Sequence, residues 1–458
     1  MYDVENFYLI KDIKMTLIVG VGNKDALAFA ADSIGSVGYK TFIVNKLFEV
    51  SDNDPIGVAI AGSPDFMGVL LETIIKEFRK SIVNRREKSL FDYVNLFLEY
   101  IKSADYLDRI SNEKLIEMII VRFIQELAGA IELHVKTAFN DPKNLNASNE
   151  TIQQLSNRLT KSSEGLVTDA LNRVLKKLQN EDPKIFGVED TNKNIHIILD
   201  ISKKHEDLLN SIFCPLGSEN FTTFRKIVIL SLQKDSFLKT LMSYSKLIFF
   251  GFGEKDFSPK VCTINLFQNL RETIFYSEEE RREVRGGFVE PYAQGEDVST
   301  SILGIGDRTV ERLEKILDKK LQNLEKNNII TAGRDKVFQA IAESVQIVRQ
   351  EAQEPLIEAV SLLSKAELGK IAENFVGIGS MKKRINMGYE TIGGPIDVAV
   401  VTKADGFVRI KRKFYFDPDI NYNYFNRLPK KHDEKIGKTH HQSNEQKHQD
   451  SSSSKVNK

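Results

Sequence analysis

The chain has 458 residues, room for about three domains and a sizeable core. Its 64 Lys plus Arg balance 64 Asp plus Glu, so the basic footprint of a dedicated nucleic-acid binder is missing, and any polyanion partner would need a local patch. No apolar run approaches the length of a membrane span, the Phe7–Ile10 run is too short for a signal-peptide core, and Cys214 and Cys262 stand in no metal or disulfide spacing. These features fit a cytoplasmic protein that uses neither membrane nor structural zinc.

From Thr16 to about Ser63, short apolar runs broken by Gly, Asn, Asp and Pro predict an antiparallel meander: Leu17–Val21, Leu27–Ala31, Phe42–Val50 and Ile56–Ala61. Residues Pro64–Ile82 switch to helical spacing, with Phe66, Val69, Leu70, Ile74 and Phe78 on one side. From about Asn84 to Ser245 the pattern predicts a largely helical insertion, with stretches at Tyr93–Ile101, Lys114–Phe139 and Ile152–Leu178. Strands return at Lys246–Gly251 and Lys260–Phe267, a charged loop is expected at Glu278–Arg285, and a helical stretch runs from Asp307 to Val376. A hairpin joins Ile396–Thr402 to Phe407–Tyr415 through an Asp-Gly turn. The tail, 429–458, is too polar to fold. The division is therefore 1–15, a leading segment; 16–83, the first core part; 84–245, the insertion; 246–428, the second core part; and the tail. Runs of strands alternating with runs of helices indicate an α+β fold.

The informative stretch is Thr16 to Ser33, an apolar strand opening on a Thr after Met15, passing through Gly20 and reaching Asp32, 16 positions beyond Thr16. Lys46 and Ala61-Gly62-Ser63 follow, then Phe250-Gly251-Phe252-Gly253-Glu254 and Gly393-Gly394-Pro395-Ile396-Asp397. Together these resemble the β-type subunits of the proteasome and their bacterial relatives, in the N-terminal nucleophile hydrolase superfamily. The resemblance covers about half the chain. It implies a four-layer αββα sandwich, which here would carry the large helical insertion that the resemblance leaves unexplained, a cofactor-independent hydrolase of peptide or other amide bonds, a homo-oligomer, and an unfoldase that supplies protein substrate.

It also implies residue roles. Thr16 is the nucleophile, Asp32 and Lys46 form its charge pair, the Gly62 amide is the oxyanion donor, and Ser36 lies where the family pairs its backbone with an extended substrate. The chemistry is sound by itself. A Thr hydroxyl is a poor nucleophile, but a first-residue Thr brings its own α-amine, of ordinary pKa about 7.7 to 8.0, as base. A nearby ammonium favours the neutral amine, and a carboxylate holds that ammonium in place. Exposure of Thr16 requires either that Met15 be the start and be removed, or that 1–15 be a propeptide.

The chain departs from the family in three places. Lys46 stands two positions nearer the nucleophile, Ile305 in Gly304-Ile305-Gly306 occupies the place of a family Ser, and Tyr389-Glu390-Thr391-Ile392 replaces an Asp and Ser, with Glu390 or Thr391 as substitutes. Plainer readings stand beside these. Thr16 alone reads as an edge-strand residue, Asp32-Ser33 as a turn, Lys46 as a solvated strand residue, and Ser63 as a helix N-cap. Arg409, Lys411, Arg412 and Lys413 read as a solvated basic face or subunit contact. The four tail histidines have no fixed metal spacing. The alternative to the enzyme is a catalytically inactive scaffold or interaction module on the same core; within the enzymes, a small-molecule amidase is the other option.

Overall fold

The computed structural model describes residues 16–37, 40–105, 113–114, 116–125, 165, 168–169, 171–181, 185–186, 200–201, 203–204, 218–270, 273–293, 296–326, 334–385, 393–413 and 420–421. The chain divides into a unit of residues Met1–Arg412 and a C-terminal unit, Lys413–Lys458; every element below lies in the first.

The fold is α+β. In chain order come β1 (Leu17–Gly22), β2 (Ala26–Ala31), β3 (Ile34–Val37), β4 (Lys40–Ile43), β5 (Leu47–Glu49), β6 (Ile56–Gly62), β7 (Asp65–Phe66) and β8 (Val69–Leu70). Helices α1 (Leu71–Ser81) and α2 (Leu90–Ser103) follow, then β9 (Ile185–Phe186), α3 (Ser218–Ser231) and α4 (Asp235–Leu241). Next are β10 (Ser245–Gly251), β11 (Lys260–Leu270), β12 (Thr273–Glu283) and β13 (Phe288–Ala293). Helices α5 (Glu296–Leu303), α6 (Asp307–Lys326), α7 (Arg334–Ser361) and α8 (Lys365–Ile385) precede β14 (Asp397–Thr402) and β15 (Gly406–Lys411).

Two antiparallel sheets organise most of these strands, with β3–β4 and β7–β8 as separate two-stranded ribbons. The first has the order β13-β1-β2-β14-β15, the second β5-β6-β10-β11-β12-β9. Their central strands are apolar without alternation because both faces are covered. Along β1 and β2, Leu17, Val19, Val21, Ala26, Ala28 and Ala30 turn to a cluster shared with Val298, Leu368, Ala372 and Val376 of α5 and α8. The intervening Ile18, Leu27, Phe29 and Ala31 turn the other way, into a cluster shared with Ala59, Ala61, Ile248 and Phe250 of the second sheet. Phe29 and Phe250 stack there with ring centroids 3.9 Å apart. A Cβ on Gly20 would stand 2.8 Å from the Phe29 ring and 2.9 Å from that of Phe288, so any side chain here would have to displace those packed rings. The opposite face of the second sheet, through Val58, Ile60, Leu247 and Phe249, packs on Leu71, Ile74 and Phe78 of α1 and on Tyr93, Phe97 and Ile101 of α2.

Several expectations are corrected. Phe42–Val50 is two short strands, β4 and β5, with Lys46 in the break, because Val44 N turns to bond Ser33 O at 2.9 Å. The helix expected from Pro64 starts at Leu71; Met67 (φ 52°) and Gly68 (φ 77°) first close a tight β7–β8 hairpin. Ser63 is therefore no N-cap, and its hydroxyl donates to Asp65 Oδ1 at 2.9 Å. The charged loop at Glu278–Arg285 is mostly strand β12, whose charges find partners on other strands: Glu279 with Lys246 of β10, and Glu280 with Thr263 of β11 and Tyr292 of β13. Strand β13 went unforeseen because of Pro291, which an edge strand accommodates. The stretch Asp307–Val376 is three helices, α6 to α8.

Helix α2 lies within the segment read as insertion, yet shares its apolar cluster with α1. A separate core joins helical residues 116–125 and 171–180 to α3 and α4, through Ile120, Phe123, Leu171, Phe224 and Ile227, and reaches Phe267 and Phe275 of the second sheet. Among the described residues no helix is long and apolar enough to cross a membrane.

Candidate active site

Antiparallel pairing gathers the candidate residues. Thr16 precedes β1, Asp32 follows β2, and Gly393 precedes β14, so all three stand at one end of the first sheet. Lys46 precedes β5, Gly62 closes β6 and Ser245 opens β10, all at one end of the second sheet. The two ends are joined by a buried ion pair, Lys46 Nζ to Asp32 Oδ1 at 2.7 Å.

Asp32 is fully buried and its carboxylate has four donors. Oδ1 accepts from Lys46 and from the Leu17 amide at 2.9 Å; Oδ2 accepts from the amides of Ile34 and Gly393, each at 3.3 Å. Four donors offset part of the desolvation of the carboxylate, and the Leu17 amide ties it to the residue directly after Thr16. Lys46 makes a second bond, to Ile34 O at 2.7 Å, while its own carbonyl accepts from Ile60 N at 2.9 Å. The ammonium is thus linked, through one shared carboxylate oxygen, to the amide of Leu17, the residue after Thr16. Thr16 is buried.

Gly62 has φ 79°, and a Cβ there would sit 2.5 Å from Tyr244 O, so glycine is demanded twice. The turn beyond it is tied to β10: Ser63 N donates to Tyr244 O at 3.0 Å, and Ser245 Oγ lies 3.0 and 3.1 Å from the carbonyls of Ser63 and Asp65. Burial pushes the Tyr244 phenol up to about 12, with Glu279 and Asp235 adding to the effect. Ser36 pairs with Thr41 on the β3–β4 ribbon, whose first residue supplies the carbonyl that holds Lys46.

The structure brings together Asp32, Lys46 and the backbone that follows Thr16, and carries Gly62 to the same end through Ile60. Ile305 instead lines an apolar groove of about 540 Å³ with Leu313, Leu317, Ile341 and Val345 of α6 and α7. Tyr389, Glu390, Thr391 and Ile392, the leading residues 1–15, Cys214 and all seven histidines lie outside the described residues. Sequence reasoning missed Ser33, whose amide donates to Gly393 O at 3.1 Å and whose hydroxyl donates to Pro395 O. It also missed Ser245. The Gly-Gly-Pro run was the available signal for Ser33's partners; nothing marked Ser245. Among the described residues no group of three His, Cys, Asp or Glu side chains is placed to hold a metal ion. No family model matches the chain, and no curated protein is similar enough to count as a match.

Proposed function

We propose that this chain is a threonine hydrolase of the N-terminal nucleophile type, similar to proteasome β-type subunits and their bacterial relatives, that cleaves peptide or other amide bonds. The observation that carries the reading is the buried Lys46–Asp32 pair bonded to the Leu17 amide, one residue from Thr16. The apolar clusters support a four-layer reading, helices on each outer face of two stacked sheets.

In this mechanism Thr16 is the first residue of the mature chain. Its Oγ attacks the scissile carbonyl carbon while its α-amine takes the hydroxyl proton. The Lys46 charge favours the neutral amine that this needs. The Gly62 amide receives the oxyanion, the C–N bond breaks, and the leaving amine takes up the proton. Water then hydrolyses the Thr16 ester and frees the hydroxyl. Strand β3 has one strand neighbour among the described residues, β4, which favours Ser36 and its neighbours as the edge that pairs with an extended substrate. The resemblance adds a cytoplasmic homo-oligomer fed by an unfoldase.

A second reading, an inactive scaffold or interaction module, is favoured by Ile305, which lines an apolar groove where the family carries a hydroxyl. Intact mass and N-terminal sequencing of protein expressed from Met1 and from Met15 come first. A preparation beginning at Thr16 that gains the mass of a peptide β-lactone on Thr16, with Thr16→Ala unlabelled, supports the hydrolase. Chains that retain Met15, or labelling equal in Thr16→Ala, support the module.

A further inference from the structure

Strand β5, which follows Lys46, is three residues long and lies at the edge of its sheet, with β6 as its strand neighbour among the described residues. So short an edge element is held weakly by its own ladder. A second attachment comes from the other sheet. Arg409 on β15 pairs in register with Ala399, which faces the second sheet, and its Nη1 donates to Leu47 O at 3.3 Å, the carbonyl directly after Lys46. The side chain is half-buried, whereas Lys411 and Arg412 of the same basic run are exposed. Its guanidinium lies 5.2 Å from the Phe407 ring centroid, and that ring packs on the inter-sheet cluster. Glu49 of β5 and Asp397 of β14 face it with negative charge, Arg412 just after β15 and Arg79 of α1 with positive.

We infer that Arg409 is a positioning residue for Lys46, bracing β5 against the first sheet so that the ammonium stays on Asp32. The inference rests on the proposed hydrolase for its catalytic consequence and on geometry alone for its structural one. The reason is leverage. Lys46 reaches Asp32 and Ile34 O through a flexible four-carbon stem, so where the ammonium comes to rest depends on where its backbone is held. Ile60 N fixes the Lys46 carbonyl to β6, and Arg409 fixes the next carbonyl to β15. A planar guanidinium stacked beside an aromatic ring suits such a brace because it is pre-organised.

The test compares wild type with Arg409→Met and Arg409→Lys. The first readout needs no activity: hydrogen exchange of the Lys46 ammonium, followed by proton–nitrogen NMR of deuterated full-length protein and assigned by the signal lost in Lys46→Met. Exchange at least tenfold faster in Arg409→Met, with Arg409→Lys intermediate and all three proteins folded by circular dichroism, is the expected result. Equal exchange in a folded Arg409→Met overturns the inference. The second readout is the pH profile of β-lactone acylation in protein beginning at Thr16. Arg409→Met should lower the rate about tenfold at neutral pH and move the profile to higher pH, because an amine less close to Lys46 holds its proton longer. If wild type is not acylated, the hydrolase reading fails while the ammonium exchange still decides the brace. If wild type is acylated and Arg409→Met matches it in rate and profile, the brace fails while the hydrolase stands.

Discussion

Lys46 Nζ and the Leu17 amide donate to the same oxygen of Asp32, at 2.7 and 2.9 Å. One buried carboxylate therefore joins the edge of the second sheet to Leu17, the first residue of β1 and the one after Thr16. Removing the cation leaves that charge buried with neutral donors only. Lys46→Met should cost about 3–5 kcal/mol in urea unfolding, and Asp32→Asn added to Lys46→Met should recover part of it. A loss below about 1 kcal/mol would mean that the pair is dispensable to the fold.

Gly62 is held at φ 79° against the Tyr244 carbonyl. Gly62→Ala should lose about 1–3 kcal/mol through the left-handed backbone alone, and more from the clash. Thermal denaturation of Gly62→Ala beside Gly406→Ala separates the two effects, since Gly406 also has positive φ but open space around its Cβ. Equal losses at both positions would show that the Tyr244 contact contributes nothing.

Burial raises the Glu49 carboxyl above its ordinary value, with Arg79 opposing and Asp52 adding to the rise. The native state then binds this proton more tightly than the unfolded chain, so the contribution of Glu49 to stability is greatest at low pH and declines as pH rises through the native value. Glu49→Gln removes that decline. The difference in melting temperature, variant minus wild type, should become more positive from pH 3.5 to pH 7. A flat difference across that range would show that the ion pair with Arg79 offsets burial completely.

Cys262 is fully buried on β11 and its thiol is pushed up to about 12, chiefly by burial and next by Glu278. Iodoacetamide at pH 8 should leave Cys262 unmodified in native protein and label it fully in denaturant, read by peptide mass mapping. Native labelling within minutes would indicate local opening of β11.

The inward faces of β1, β2, β6, β10 and β14 were legible because a strand covered on both sides must be apolar at every position, a local property of the chain. The Asp-Gly hairpin was legible for a similarly local reason, the positive φ at Gly406. Strand β12 was not, since Glu279 and Glu280 are acceptable in a strand only beside Lys246 and Tyr292, residues distant in sequence. Nor was β13, because Pro291 is tolerated only by virtue of the edge position that the sheet order gives it. At the site the sequence alone determined which groups were available: a Thr at a strand's start, an Asp at a strand's end, a Lys within an apolar run, and a Gly before a turn. Only the tertiary structure decided that Lys46 meets Asp32, that Gly393 and Leu17 complete its shell, and that Arg409 turns inward while Lys411 and Arg412 do not. Those choices depend on two sheets ending at the same place, and hydrogen-bond geometry between distant strands carries no signal in any single stretch of chain.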